Sequence, residues 1–129
     1  MSKALVVDDS RAVRMILART LRELGYDVWE AGDGKEALVA LDKEAARYSL
    51  VLADWNMPVM NGFDLLVEIR KQPRYASLII VMVTSETELG HMAMALDAGA
   101  NEYVMKPFTK DILVSKLEMV GAITNGVGA

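Results

Sequence analysis

Five short apolar runs, each of strand length and each followed by a stretch with helical spacing, dominate this sequence. They are Ala4 to Val7, Val28 to Ala31, Leu50 to Ala53, Leu78 to Val83 and Tyr103 to Met105. Where a run is continuously apolar, both faces of the strand are buried, as in a parallel sheet covered by helices on either side. Strict alternation of strand and helix makes the chain an α/β protein with right-handed crossovers.

The intervening segments carry their own start and stop signals. Val13, Ile16, Leu17, Leu21 and Leu24 form the buried stripe of a first helix that Gly25 ends. Asp33 caps a second helix, and Glu36 three residues later completes a capping box, with Ala37, Leu38 and Leu41 inward. A third helix follows the turn at Asn61-Gly62 and buries Leu65, Leu66 and Ile69. The fourth is expected from about Glu86 to Ala98, with Gly99 behind it. The fifth follows the cap Thr109 and turns Ile112, Leu113, Leu117 and Val120 inward. Five (βα) units fit a flavodoxin-like, doubly wound sheet of order 2-1-3-4-5 with helices on both faces.

A chain of 129 residues suits one domain, 1–129, with an ordered core over about 3–120 and a Gly-rich tail, 121–129, that is expected to fray. With 53% hydrophobic residues it can build a core without help, and the absence of cysteine removes both disulfides and thiolate metal sites. The formal charge of −4, with basic residues scattered, argues against nucleic acid as a partner. No apolar run is long enough to span a bilayer, and Met1-Ser2-Lys3 leads straight into a strand. The expectation is a soluble cytoplasmic protein, monomeric, without a membrane partner.

In such a sheet, ligands bind beyond the carboxyl ends of the strands. There the sequence places Asp8 and Asp9 after strand one, Asp54 after strand three, Thr84 at the end of four and Lys106 after five. Three converging carboxylates repel unless a cation joins them, and hard oxygen donors favour Mg2+. Asp9 and Asp54 are the expected direct ligands, Asp8 is direct or acts through water, and the backbone carbonyl of Asn56 offers a further oxygen. Asp54 is then a nucleophile able to form an acyl phosphate, while Lys106 and the Thr84 hydroxyl neutralise and orient the transferring group.

These residues and their neighbours resemble the receiver domain of bacterial two-component response regulators, over about Lys3 to Val120. The resemblance rests on Val7-Asp8-Asp9-Ser10, Ala31-Gly32-Asp33-Gly34-Lys35-Glu36-Ala37 and Asp54-Trp55-Asn56-Met57-Pro58-Val59-Met60-Asn61-Gly62. It continues through Val83-Thr84-Ser85-Glu86, Ala98-Gly99-Ala100 and Lys106-Pro107-Phe108. Asp54-Trp55-Asn56-Met57-Pro58 and Tyr103 are most like the single-domain chemotaxis regulators. The resemblance implies a signalling switch that catalyses only its own phosphorylation and dephosphorylation. Asp54 is the phosphoacceptor, a sensor histidine kinase the donor, and the Lys106-Pro107 peptide is cis.

The resemblance further implies that Thr84 moves toward the phosphoryl group and that Tyr103 turns inward, reshaping the surface of helix four, strand five and helix five. Leu89, Met92, Tyr103, Leu113 and Lys116 are the expected partner contacts. The partner is a flagellar motor component or another chemotaxis protein, or a histidine phosphotransfer protein if the chain is a relay intermediate or phosphate sink. Asn56 and Glu86 tune the phosphoryl lifetime, and small Ser85 leaves room for a phosphatase or water, so self-dephosphorylation in seconds to minutes is expected. Gly90 is expected to soften helix four. Trp55 is expected to be partly exposed and His91 to sit on an exposed helix face, while Met57, Met60, Met92 and Met94 offer pliable contact surface. An aspartyl phosphatase is disfavoured because Asn56 stands where a second aspartate would, and a flavin carrier because acids follow the first strand.

Overall fold

Side chains of a strand alternate between the two faces, and the apolar runs therefore feed two cores at once. In a computed structural model, which describes residues 2–43, 47–85, 89–124 and 127–128, the strands are β1 (Lys3–Val7), β2 (Asp27–Ala31), β3 (Tyr48–Ala53), β4 (Ile79–Thr84) and β5 (Glu102–Met105). They form one parallel sheet in the order β2-β1-β3-β4-β5. The helices are α1 (Arg11–Glu23), α2 (Gly34–Lys43), α3 (Gly62–Arg70), α4 (Leu89–Asp97) and α5 (Lys110–Met119), with a 3-10 turn at Pro73–Tyr75.

Leu5, Val7, Val51, Ala53, Ile80 and Met82 face one way and pack with Leu41 of α2, Leu65, Leu66 and Ile69 of α3 and Ala95 of α4. Ala4, Val6, Leu50, Leu52, Val81 and Val83 face the other way and meet Leu17 and Leu21 of α1 and Leu113 and Leu117 of α5. Each central strand is thus buried twice, which explains its lack of any polar alternation.

The helix starts follow their caps. Ser10 accepts from the Val13 amide at 3.3 Å, Asp33 from Glu36 at 2.9 Å, Asn61 from Asp64 at 2.8 Å and Thr109 from Ile112 at 3.2 Å. α1 closes ahead of Gly25, as expected. Gly99, behind α4, has φ +112, a conformation open to glycine at little cost, and the Arg70 side chain lies across it.

The sequence reading is corrected at several points. Ile16 and Ile112 are 58% and 49% exposed, because the buried stripes of α1 and α5 run through Leu17–Leu21 and Leu113–Leu117 instead. The chain past Val120 does not simply fray: Ala122 and Ile123 are buried in the α1–α5 core, and the Tyr26 hydroxyl donates to the Ala122 carbonyl. Ile123–Thr124 and Val127–Gly128 pair as the two short antiparallel strands β6 and β7. Glu86, expected to open α4, lies outside the described residues; α4 is described from Leu89.

One cation ties the end of the sheet where β4 and β5 begin. The Arg70 guanidinium, at the C-terminus of α3, donates to the carbonyls of Gly99 (3.0 Å), Tyr75 (2.8 Å) and Leu78 (2.8 Å) and to the Asn101 side chain (3.0 Å). Asn101 in turn accepts from the Ile80 amide at 2.8 Å. Burial lowers the Arg70 pKa, and these charge-assisted hydrogen bonds hold the cation in place.

Candidate functional site

The strand ends fix the polar residues by continuing the backbone ladder beyond each strand. The Asp8 amide donates to Ala31 O (3.1 Å), Asp54 to Val7 O (3.0 Å) and Lys106 to Thr84 O (2.9 Å). Three side chains from different crossovers are thereby held at one edge. Gly62 adds a steric condition: a Cβ there would lie 1.9 Å from the Asp54 carbonyl oxygen, so α3 can begin this close only with glycine. The Gly62 amide also donates to Trp55 O at 2.8 Å.

Asp8, Asp9 and Asp54 each present a carboxylate oxygen within 4.8 Å of the others. Asp8 is 1% exposed, Asp54 8% and Thr84 fully buried, while Asp9 faces solvent. Lys106 Nζ lies 2.8 Å from Asp8 Oδ2 and 3.4 Å from Asp54 Oδ2. Asp8 Oδ1 accepts from the Ser10 amide at 2.8 Å, and the Asp8 carbonyl from Arg14 Nη1 at 2.6 Å. Asp54 Oδ1 is buried and has no hydrogen-bond partner among the described residues. One ammonium against three carboxylates leaves negative charge unbalanced, and a buried acceptor without a donor is costly. Both features fit a hard divalent cation such as Mg2+. Above the carboxylates, Asp9, Asn56, Met57, Pro58 and Asn61 line a shallow pocket.

The chain matches the family model for the response regulator receiver domain over residues 4–118. It belongs to the response regulator receiver family. This receiver is 46% identical over 119 residues to the chemotaxis protein CheY1 of Helicobacter pylori, covering 92% of this chain and 95% of that one. It is 44% identical over 128 residues to the CheY homologue of Campylobacter jejuni, covering 98% of each. Among solved structures, chemotaxis protein CheY4 of Vibrio cholerae superposes with a TM-score of 0.85 at 38% identity, covering 93% of this chain and 98% of that one. Five parallel strands in this order with helices on both faces are the flavodoxin-like fold of these proteins. No helix among the described residues is long and apolar enough to cross a membrane.

Within this receiver the structure brings Asp8, Asp9, Asp54, Thr84 and Lys106 to one edge, and the Lys106-Pro107 peptide is cis. Asn56 is exposed at the mouth of the pocket. Glu86 lies outside the described residues, as does the Leu89 side chain.

The surface assignments need correction. Leu113 is fully buried against the sheet and offers a partner nothing. Tyr103 is 3% exposed, with its ring in the core beneath α4. Met92 is half-buried, and Lys116 pairs with Glu102 at 3.5 Å.

Trp55 is 8% exposed instead of partly open, and two rings stack on it. Phe63 stacks on it at 5.0 Å between centroids, and His91, expected on an exposed face, stacks at 4.7 Å. Sequence reasoning missed Phe63, although an aromatic residue in the first turn of α3, just after the loop that follows Asp54, was the available signal. It also missed Arg70, for which no local signal exists.

Proposed function

We propose that this receiver takes a phosphoryl group from a sensor histidine kinase onto Asp54 and thereby switches its α4–β5–α5 face for a chemotaxis partner. The observation that carries this reading is the buried Asp54 Oδ1, without a hydrogen-bond partner among the described residues and set beside two further carboxylates and Lys106. In the transfer, an Asp54 oxygen forms the new O–P bond as the N–P bond of the donor phosphohistidine breaks. The leaving imidazole keeps the electron pair of that bond. Lys106 moves from its pairing with Asp8 to hold one phosphoryl oxygen, and the Thr84 hydroxyl donates to another. Asp8, Asp9, Asp54 and the Asn56 carbonyl hold Mg2+, which when bound offsets charge on the phosphoryl oxygens.

The Tyr103 ring, one strand away on β5, is already buried, so capture of the Thr84 hydroxyl by the phosphoryl group would hold that inward position instead of producing it. In this reading Met92 and Lys116 are the elements of the face that change, and Asn56 and Glu86 set the lifetime of the acyl phosphate. The relatives' chemotaxis role makes a flagellar motor component the favoured target, with a phosphatase acting on the same face or at Ser85.

The test is intact mass after incubation with acetyl phosphate, with and without Mg2+. Wild type should gain one phosphoryl group only with magnesium, and Asp54→Asn none. A wild type that gains nothing, while magnesium still perturbs Trp55 fluorescence, would overturn the reading.

A further inference from the structure

Phe63 of α3 and His91 of α4 both stack on the Trp55 indole, with interplanar angles of 22° and 16°. Trp55 follows Asp54 directly, and Asn56 follows Trp55, so whatever fixes this indole fixes the backbone that carries both. One of the two contacts is short-range: Phe63 and the Gly62 amide that holds Trp55 O belong to the start of α3. The other comes from a helix that has no other described ring to offer. In the first turn of α4 (Leu89–Asp97), Gly90 presents no side chain, and its α-carbon faces open space.

We propose that His91 is a positioning residue for the acceptor site: its imidazole, stacked on Trp55, holds the Asp54–Asn56 segment in register for the divalent cation and ties that segment to the first turn of α4. The inference rests on the reading of Asp54 as phosphoacceptor and names a regulator of that same site. It supplies a link between Asp54 and the output helix that is separate from Thr84 and Tyr103. Near-parallel rings with centroids 4.7 Å apart fit the offset stacking that aromatic pairs favour, so an aromatic replacement preserves the contact and an aliphatic one does not.

The experiment compares wild type, His91→Ala and His91→Phe, all in a Trp29→Phe background so that emission comes from Trp55 alone. Three quantities are read: the magnesium midpoint by Trp55 fluorescence, the magnesium dependence of acetyl-phosphate phosphorylation by intact mass, and amide exchange at Trp55 and Asn56 in metal-free protein. Removing the ring should raise both magnesium midpoints about three- to tenfold and speed exchange by a similar factor. His91→Phe should restore all three to within about twofold of wild type. A ring that merely fills space would lower thermal stability in His91→Ala and leave the midpoints and exchange unchanged. That result overturns the proposal. A wild type that takes no phosphoryl group would overturn the underlying reading instead, a distinct outcome because it appears before any variant is compared.

Discussion

Lys106 Nζ stands 2.8 Å from Asp8 Oδ2, closer than its 3.4 Å to the Asp54 carboxylate. The ammonium therefore serves chiefly as the counter-charge of the most deeply buried acid in the site. If these carboxylates hold Mg2+ as proposed, the metal would compete with the ammonium for them. Lys106→Met should consequently bind magnesium more tightly than wild type while phosphorylation at saturating magnesium falls roughly tenfold or more. Magnesium titration followed by Trp55 emission, paired with intact mass, checks both halves. Weaker magnesium binding in the variant would show that Lys106 does not compete.

Val59 carries φ +68 in a three-residue turn closed by the Met60 amide on the Pro58 carbonyl at 2.7 Å. A β-branched residue in that region is strained, and Val59 is 76% exposed, so little packing offsets the strain. Val59→Gly should raise unfolding free energy by about 1 kcal/mol, relief of strain outweighing the added entropy of the unfolded chain. Urea denaturation gives the answer directly. A lowered midpoint would mean that the Val59 side chain packs better than its exposure suggests.

Tyr75 is buried, and its hydroxyl donates to Asp42 Oδ1 at 2.9 Å. Burial first, and the neighbouring carboxylate second, push its pKa from 10.0 to about 12. Because the fold favours the neutral phenol, this stabilisation is complete below the ordinary value and is lost as pH rises through about 12. Burial raises Tyr26 and Tyr48 as well, so all three contribute to alkaline unfolding. Tyr75→Phe should cost about 1 kcal/mol at neutral pH and make the decline above pH 10 shallower. Equal slopes for variant and wild type between pH 10 and 12 would refute the assignment.

The sheet was legible because its strands obey a local rule. A run such as Leu50 to Ala53 must be buried on both faces, and the polar residue after each run then falls at one edge. Asp8, Asp54, Thr84 and Lys106 needed no further information. Helix faces are harder, since adjacent apolar residues such as Ile112 and Leu113 lie about 100° apart and either can point inward. Here Leu113 pairs with Leu117 in the core and Ile112 is left outside. The ring stack was not legible at all. Trp55, Phe63 and His91 sit on three separate segments, and only the close approach of α4 to the acceptor loop makes neighbours of them.

The four hydrogen bonds of Arg70 all fall at the end of the sheet where β4 and β5 begin, and they include the carbonyl of Gly99, just past α4. The acceptor edge lies at the other end of those strands. The residue just past α4 is thus pinned like a door at one jamb, while the first turn of α4 stands at the other end of the strands, against Trp55. If Asp54 takes a phosphoryl group as proposed, a displacement there would reach α4 as rotation about that pivot, and the Arg70 hydrogen bonds would set where the helix turns.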